Sequence, residues 1–420
     1  MKITVHPSFM KGRMLIPPSK SYTQRALLAS LLAEGTSEIM HAGISGDELR
    51  MLEAISNLGA KVTHEDERIL IQGGLHAKTG EIDMGESGLG IRLMTPVAAM
   101  VGKQISITGK GSLRRRPMMV FEKALKEAGG DCQTHQGFLP LEIKGPLTGG
   151  TIKLDSPISS QFLSGLLFAL PLAEEDSTIV VKNLKSIPYI EMTLEALKTF
   201  GIQIQHHHHQ VFEVPGQQRY QPAKMSIEGD WSNAAFFFTG AAIHGELSIA
   251  GLNPDSVQGD RKILEALSSC GAYPELKKEA YRIASPGKLK AFDFDATDCP
   301  DLFPPLAALA SYCHGTSSIR GVHRLLHKES NRAEAIAREL AAQGIEASLH
   351  ADDTLRVTGE QPAGGGFHSH NDHRMAMTGS IVALKANSPV KITQAEAVGK
   401  SYPTFFETLQ KLGVKLTRHS

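Results

Sequence analysis

The sequence predicts an α/β protein of two domains, built from six copies of one helix-and-strand unit. An amphipathic helix that ends in a glycine and leads into a β-type run occurs six times, at intervals of 69 to 73 residues. A glycine directly after a helix adopts the left-handed conformation that ends it, so the period marks the same point in every unit. The chain has 420 residues. A chain of this length usually folds into more than one domain, each with its own hydrophobic core. The six glycines are Gly59, Gly129, Gly201, Gly271, Gly344 and Gly413.

Each unit contains two kinds of helix. The helix before the glycine is amphipathic, as the helical spacing of Ile190, Leu194 and Leu197 indicates, so it should bury one face. A second candidate lies upstream and carries apolar residues on nearly all sides, which is typical of a buried helix. These upstream candidates are residues 21–33, 88–101, 160–170, 232–243, 302–311 and 372–384. Each unit should therefore combine one inner helix, one outer helix and several strands.

The six units should divide equally between the two domains, with a break between residues 228 and 229. A period near 70 residues is longer than that of solenoid repeats, so a stacked array is not expected. The periodicity predicts the number of units, whereas it leaves their packing open.

Composition excludes some classes of function. Lys and Arg total 44, Asp and Glu total 44, and the formal net charge is zero, whereas nucleic-acid binders usually carry a basic excess. Residues 1–18 lack a signal-peptide apolar region, and no run of about 18 apolar residues occurs, so we expect a cytoplasmic protein with no membrane helix. No pair of the four cysteines has the C-x-x-C spacing, so we expect buried thiols in a reducing compartment.

Polar and basic residues recur where helices begin. Lys20 and Ser21 begin the first inner helix, and Ser159 and Ser160 begin the third. Free backbone N–H groups and the helix dipole attract anions there, although a simple serine cap is the alternative. Similar clusters occupy residues 328–332, 371–374 and 399–403. A ligand with several separate negative groups would satisfy the whole pattern.

Three consecutive arginines form the most basic of these clusters. Arg114, Arg115 and Arg116 are predicted to lie at the start of an outer helix, where the dipole disfavours cations. This mismatch indicates a bound anion, and a solvated basic turn is the alternative.

Other motifs were weighed against this interpretation. Gly399-Lys400-Ser401 resembles the end of a P-loop, but position 394 is Gln394 instead of the required glycine. Four consecutive histidines at 206–209 lie between two β-type runs, which favours a solvated turn over a metal site. His368, His370 and His373 form a second cluster without a carboxylate–histidine set of recognised spacing. The sequence therefore predicts no metal, and it contains no G-x-S-x-G elbow for covalent catalysis.

Taken together, these segments resemble the EPSP synthase family along nearly the whole chain. Each segment alone is a weak signal, but their shared order and spacing make the resemblance specific. The matching segments are residues 18–21, 88–92, 116–117, 159–163, 188–190, 229–230, Asp301, 328–330, 371–377 and Lys400.

The resemblance implies a two-lobed inside-out α/β barrel of six βαβαββ units. Residues 19–228 would form the N-terminal lobe, which binds shikimate 3-phosphate, with units one to three. Residues 229–420, together with 1–18, would form the C-terminal lobe with units four to six. The implied activity is transfer of the enolpyruvyl group of phosphoenolpyruvate to the 5-hydroxyl of shikimate 3-phosphate. These two small molecules would be its partners, with no cofactor, nucleic acid or membrane, and the chain would act as a monomer.

The resemblance also implies residue roles. Contacts to shikimate 3-phosphate would come from Lys20, Ser21, Arg25, Ser159, Ser160, Gln161, Ser186, Tyr189, Asp301 and Lys328. Contacts to phosphoenolpyruvate would come from Lys20, Gly88, Arg116, Gln161, Arg332, Arg374 and Lys400. The catalytic set would be Asp301, as base for the 5-hydroxyl, and Glu329, Lys20 and His373, for proton transfer at the methylene carbon. Both substrates carry a phosphate and a carboxylate, which accounts for the many fixed cations.

Some positions depart from the common pattern of the family. Glu86 and Leu89 stand where many members have Asn and Thr, which affects the expected shape of the phosphoenolpyruvate pocket. Arg324 and Asn331 replace a common Asn and Asp near Lys328. The related UDP-N-acetylglucosamine enolpyruvyl transferases carry a catalytic cysteine in a mobile loop, whereas the corresponding residues 111–116 here contain none. A non-catalytic relative that binds phosphorylated metabolites is the remaining alternative.

Overall fold

The computed structural model describes residues 1–155 and 159–419. Along these residues, single α-helices are separated by one or more strands, and in places also by a short 3-10 helix. The α-helices are α1 Lys20–Leu32, α2 Gly46–Asn57, α3 Gly88–Ala99, α4 Val120–Glu127, α5 Ser160–Ala169, α6 Ile187–Thr199, α7 Trp231–His244, α8 Ile263–Ser269, α9 Phe303–Ala310, α10 Arg332–Ala342, α11 His373–Val382 and α12 Phe405–Lys411.

The strands are short and belong mainly to four-stranded sheets. They are β1 Lys2–Val5, β2 Met10–Leu15, β3 Thr36–Met40, β4 Lys61–Glu65, β5 Arg68–Gln72, β6 Glu81–Asp83, β7 Ile105–Thr108, β8 Asp131–His135, β9 Phe138–Lys144, β10 Gly150–Leu154, β11 Ser177–Val181, β12 Gln205–His207, β13 Val211–Val214, β14 Lys224–Ser226, β15 Gly245–Ala250, β16 Glu275–Lys277, β17 Ala280–Ala284, β18 Leu289–Lys290, β19 Asp293–Asp295, β20 Cys313–His314, β21 Thr316–Arg320, β22 Glu346–His350, β23 Thr354–Thr358, β24 Gly365–His368, β25 Val390–Thr393 and β26 Leu416–His419.

Six four-stranded sheets among the described residues share one topology. In one of them, β10 pairs parallel with β11, β11 pairs antiparallel with β13, and β13 forms a hairpin with β12. The six orders are β14-β3-β5-β4, β6-β7-β9-β8, β10-β11-β13-β12, β16-β17-β15-β2, β19-β21-β23-β22 and β24-β25-β1-β26. A parallel pair joined to an antiparallel hairpin is what a βαβαββ unit produces, so the predicted α/β class and sixfold repeat are confirmed.

The glycines that define the period lie where the repeat predicts. Each follows the end of α2, α4, α6, α8, α10 or α12 and has a positive φ, between 79° and 120°. Residues with a β-carbon rarely adopt this conformation, so the chain leaves the outer helix at a glycine in all six units.

The inner helices are buried along their length. Every residue of α3, α9 and α11 is buried, as are eleven of the thirteen residues of α1. α3 packs on α1 and α5, and separately α7, α9 and α11 pack on one another. Helices without a polar face have no surface that water would stabilise, so they occupy the cores.

The chain divides into two compact units. The N-terminal unit is Pro18–Glu228, and the C-terminal unit is Met1–Pro17 with Gly229–Ser420. Three of the four-stranded sheets belong to each unit. In the described part of the chain, no helix has the length and apolar character needed to cross a membrane.

Candidate functional site

A network of buried ions joins three helix starts of the C-terminal unit. Asp301 lies in the short 3-10 turn that leads into α9, Arg332 is the first residue of α10, and Asp372 caps the start of α11. Because all three residues precede or begin helices of the same unit, the repeat itself brings their side chains to one place.

Asp301 contacts three cations. Its Oδ1 accepts hydrogen bonds from Lys328 Nζ at 3.2 Å and Arg332 Nη1 at 2.9 Å, and its Oδ2 accepts one from Arg374 Nη2 at 3.1 Å. Burial alone would raise the pKa of Asp301, but Arg374, Lys328 and Arg332 together hold that pKa well below its usual range. The carboxylate is therefore ionised at neutral pH.

Arg332 lies at the centre of the network. Its guanidinium has no exposed surface and contacts three carboxylates: Asp372 at 2.9 Å, Asp301 at 2.9 Å and Glu329 at 2.5 Å. Burial would lower the pKa of Arg332, yet Asp372, Glu329 and Asp301 raise it above its usual value. A buried charge is tolerated only with such partners, so Arg332 depends on all three carboxylates.

Two further predicted residues lie at the same helix start. His373 is buried, and its Nδ1 lies 3.8 Å from Asp372 Oδ1. Lys400 is partly buried and donates from Nζ to the carbonyl oxygen of Asn371 at 2.7 Å. The structure thus brings together the predicted residues of the C-terminal unit, Asp301, Lys328, Glu329, Arg332, His373, Arg374 and Lys400.

The N-terminal unit holds the other predicted residues around the starts of inner and outer helices. Lys20, the first residue of α1, pairs with Asp47 at 2.7 Å, and both side chains are mostly buried. Asp47 lies in the first turn of α2, where the helix dipole favours a carboxylate. Asp47 was not predicted from the sequence, because no local pattern marks a partner 27 residues away.

Arg25 is buried one turn further along α1. It donates to the carbonyl oxygens of Ser21 at 2.8 Å and Tyr189 at 2.9 Å, and to Thr193 Oγ1 at 2.9 Å. Burial lowers the pKa of Arg25 to about 10, which leaves it charged at neutral pH. Arg25 therefore links α1 to α6, and it lies beside Ser21 and Tyr189 as the resemblance implies.

Gly88 lies against a pair of arginines. A β-carbon at this position would lie 2.0 Å from Arg116 Nη1 and 3.5 Å from Arg92 Nη1. Arg92 donates to Gln161 Oε1 at 2.8 Å and lies 5.0 Å above the Phe162 ring. Gly88 therefore leaves room for Arg116, and Arg92, for which the sequence predicted no role, contacts the predicted site residue Gln161.

The remaining predicted residues lie at the starts of α5 and α6. Ser159 caps α5 and accepts from the backbone N–H of Gln161 at 3.4 Å, while Ser160 is the first residue of that helix. Ser186 precedes α6 with a left-handed φ of 58°, and Tyr189 lies in its first turn.

The prediction for the arginine cluster was wrong. Gly111–Arg115 forms a 3-10 helix, and α4 begins only at Val120. Arg114 and Arg115 are exposed at the end of the 3-10 helix, where the dipole favours cations, and only Arg116 is buried. Pro117 explains the delay, since it disfavours helical geometry in the residue before it.

The departures from the family pattern have clear locations. Glu86 accepts from the backbone N–H of Ser112 at 3.1 Å and so fixes the loop before Arg116. Leu89 is buried in the first turn of α3. Arg324 lies within the 3-10 helix Val322–Leu325, and Asn331 is the N-cap residue of α10, without a hydrogen bond from its side chain to the helix.

Comparison with known proteins identifies the family. Residues 5–409 match the family model described as EPSP synthase (3-phosphoshikimate 1-carboxyvinyltransferase). This chain belongs to the EPSP synthase family. A 3-phosphoshikimate 1-carboxyvinyltransferase of Clostridium kluyveri is 37% identical over 100% of this chain and 99% of its own. One of Methanocorpusculum labreanum is 36% identical over 99% of both chains.

A solved structure supports the same conclusion. EPSP synthase from Acinetobacter baumannii, solved at 2.37 Å, is 26% identical and superposes with a TM-score of 0.82 over 99% of this chain and all of its own. The resemblance drawn from the sequence is therefore confirmed, as is the two-lobed α/β fold of the family.

The buried pairing of Asp372 with Arg332 can be tested by replacing the carboxylate. Asp372→Asn keeps the side-chain volume but leaves Arg332 short of one buried countercharge. We expect the free energy of unfolding to fall by about 3–5 kcal/mol, the usual cost of breaking a buried ion pair. Trp231, the sole tryptophan, is buried in the same unit, so its fluorescence in a urea titration reports this unfolding.

Asp352→Asn is the matched control. Asp352 pairs with Arg356 at 2.6 Å on the exposed surface, where water and salt screen the interaction. This variant should unfold at nearly the wild-type urea concentration. Equal urea midpoints for both variants would contradict the central role given to Asp372.

Proposed function

We propose that this chain transfers the enolpyruvyl group of phosphoenolpyruvate to the 5-hydroxyl of shikimate 3-phosphate. The products are 5-enolpyruvylshikimate 3-phosphate and phosphate, on the route to chorismate and the aromatic amino acids. Family membership supports this reaction, and one geometric observation supports it chemically. That observation is a carboxylate, Asp301, placed in contact with Lys328, Arg332 and Arg374.

The reaction needs such a charged site. The 5-hydroxyl adds to C2 of phosphoenolpyruvate while C3 gains a proton, which gives a tetrahedral intermediate. Loss of a proton from C3 and departure of phosphate from C2 then restore the double bond, and the departing phosphate carries away a proton in place of the one that the 5-hydroxyl lost. Each substrate carries a phosphate and a carboxylate, so fixed cations are required, and each step needs a proton donor or acceptor.

Asp301 is proposed as the base that takes the proton from the 5-hydroxyl. With its three cations alone, Asp301 is a weak base because they hold its pKa low. An anionic substrate that neutralises Arg374 and Lys328 would weaken that effect, and the pKa of Asp301 would rise towards its usual value. The base would thus gain strength when the substrates are bound.

The proposed contacts to substrate follow the resemblance residue by residue. Ser159, Ser160 and Ser186 offer hydroxyls at helix starts, which are suited to an anionic group. The phosphoenolpyruvate contacts are proposed to be Lys20, Gly88, Arg116, Gln161, Arg332, Arg374 and Lys400. Shikimate 3-phosphate would bind to Lys20, Ser21, Arg25, Ser159, Ser160, Gln161, Ser186, Tyr189, Asp301 and Lys328.

Glu329 is proposed to move the proton at C3, with Lys20 and His373. Glu329 is partly buried and bonds to Arg332 Nη2 at 2.5 Å, which fixes its orientation. One proton enters at C3 in the first step and one leaves C3 in the second, so the transfers at this carbon balance over the reaction. We also propose that the chain works as a cytoplasmic monomer on these small molecules, without nucleic acid, membrane or cofactor.

The proposed activity is tested by release of phosphate from phosphoenolpyruvate. Release should depend strictly on shikimate 3-phosphate and persist in EDTA, because the transfer involves no redox change and the charges are met by side chains. UDP-N-acetylglucosamine serves as the alternative acceptor. Phosphate release with that nucleotide sugar, or none with shikimate 3-phosphate, would overturn the assignment.

Glu329→Gln tests the proton-transfer role. The amide keeps a hydrogen bond to Arg332 but exchanges no proton, so turnover should fall by at least about 100-fold, the scale of general acid–base catalysis. Binding of shikimate 3-phosphate, measured by calorimetry, should change little. The control is Glu334→Gln, which changes an exposed glutamate in the first turn of α10, the helix that follows Glu329. This variant should retain turnover. Normal turnover in the Glu329 variant would remove Glu329 from the mechanism.

Gly88→Ala tests the room left for Arg116. The new β-carbon would displace the Arg116 guanidinium, which it would otherwise approach to 2.0 Å. We expect kcat/KM for phosphoenolpyruvate to fall by at least about tenfold, since small displacements of positioning groups cost up to about 100-fold. Gly366→Ala is the control, because its β-carbon would meet no atom within 4 Å. An unchanged KM for phosphoenolpyruvate in the Gly88 variant would argue against Arg116 as its ligand.

A further inference from the structure

The four consecutive histidines divide into two structurally different pairs. His206 and His207 belong to β12, and His208 and His209 form the turn into β13. His207 and His208 are exposed, as expected for a solvated turn, whereas His206 and His209 are half-buried and stack with ring centroids 4.2 Å apart. The prediction of a solvated turn therefore holds for only two of the four residues.

Strand pairing and turn geometry explain why His206 and His209 meet. His206 lies opposite Phe212 in the β12–β13 hairpin, and its ring lies 5.6 Å from the Phe212 ring. His208 and His209 both have left-handed φ angles, 51° and 56°, which return the chain tightly. The His209 ring therefore packs over the same face of the hairpin as His206.

A carboxylate from α6 completes the group. Glu191, in the second turn of α6, forms a hydrogen bond with His209 Nε2 through its Oε1. One potential ligand atom from each of Glu191, His206 and His209 lies within 4.8 Å of the others. Among the described residues, no other set of three histidine, cysteine or acidic side chains converges in this way.

We propose that Glu191, His206 and His209 form a binding site for a divalent transition-metal ion of the zinc type. Zinc takes imidazole nitrogen and carboxylate oxygen at about 2.0–2.2 Å and accepts three protein ligands with water in the fourth position. Two ligand atoms of one such ion lie about 3.4 Å apart in tetrahedral geometry. The three potential ligand atoms lie within 4.8 Å of one another, so each would have to move closer to the others on binding.

The hydrogen bond between Glu191 and His209 does not account for His206. The Nδ1 atom of His206 is buried and has no hydrogen-bond partner among the described residues. Buried polar atoms usually have a partner, so this imidazole nitrogen, beside a histidine–carboxylate pair, is a candidate metal ligand. A metal ion would bind this imidazole and replace the proton shared between His209 and Glu191.

A bound ion would connect α6 to the β12–β13 hairpin. Glu191 lies on α6, and both histidines lie on the hairpin that follows it, so a bound ion would tie the hairpin to that helix. None of the three residues is among those proposed for enolpyruvyl transfer, although Glu191 shares α6 with Tyr189. Zinc binding and transferase activity can therefore be measured, and can fail, independently.

Titration of the metal-free protein with zinc chloride in a calorimeter tests the proposal. We expect one ion per chain at micromolar affinity and a higher temperature of thermal unfolding with zinc present. Glu191→Gln and the double variant His206→Gln/His209→Gln should weaken binding by at least about tenfold, since even groups outside the first coordination shell contribute that much to metal sites.

The double variant His207→Gln/His208→Gln is the matched control. It removes the same number of histidines from the same four-residue segment but leaves the converging group intact, so it should bind zinc as the wild type does. Loss of binding in this control, or equal loss in both histidine variants, would overturn the proposal in favour of non-specific binding to consecutive histidines. Unchanged binding in Glu191→Gln, with the variant folded by circular dichroism, would overturn it as well.

Discussion

The organisation of the C-terminal unit depends on the buried guanidinium of Arg332. A charge without solvent contact would be strongly destabilising, and three carboxylates offset that cost. Each carboxylate comes from a helix start: Asp301 before α9, Glu329 before α10 and Asp372 before α11. Arg332 therefore holds three separate segments together. The same contacts orient Asp301 and Glu329, the two carboxylates proposed for proton transfer.

The repeat explains why many of the residues proposed for the site lie at helix starts. An inner helix is apolar along its length, so only its ends can hold polar groups without leaving them buried and unpaired. The N-terminal end also presents free N–H groups and the positive end of the dipole. Lys20, Gly88 and Ser160 in one unit and His373 in the other all lie at such positions.

The sequence predicted what depends on local pattern and missed what depends on distant pairing. The cap glycines and the inner helices followed from periodicity, because each is determined within one helix and its end. Lys20 pairs with Asp47, 27 residues away, and Arg92 with Gln161, 69 residues away, and no local signal marks either pair. The arginines at 114–116 were misplaced because the delay caused by Pro117 was overlooked. Resemblance to a family supplied the residue roles, which periodicity could not.

The cations that hold Asp301 ionised would also weaken it in its proposed role as a base, and this sets a condition on the proposed mechanism. A carboxylate with a depressed pKa binds a proton poorly, so removal of a hydroxyl proton would be slow while Lys328, Arg332 and Arg374 act on it alone. Arg332 also pairs with Asp372 and Glu329, whereas Lys328 and Arg374 keep some exposed side-chain surface, 24% and 8%. Binding of an anionic substrate to Lys328 and Arg374 would strengthen the base and supply the reacting group at the same time. In the proposed mechanism, Asp301 would therefore abstract the hydroxyl proton efficiently only when both substrates are bound.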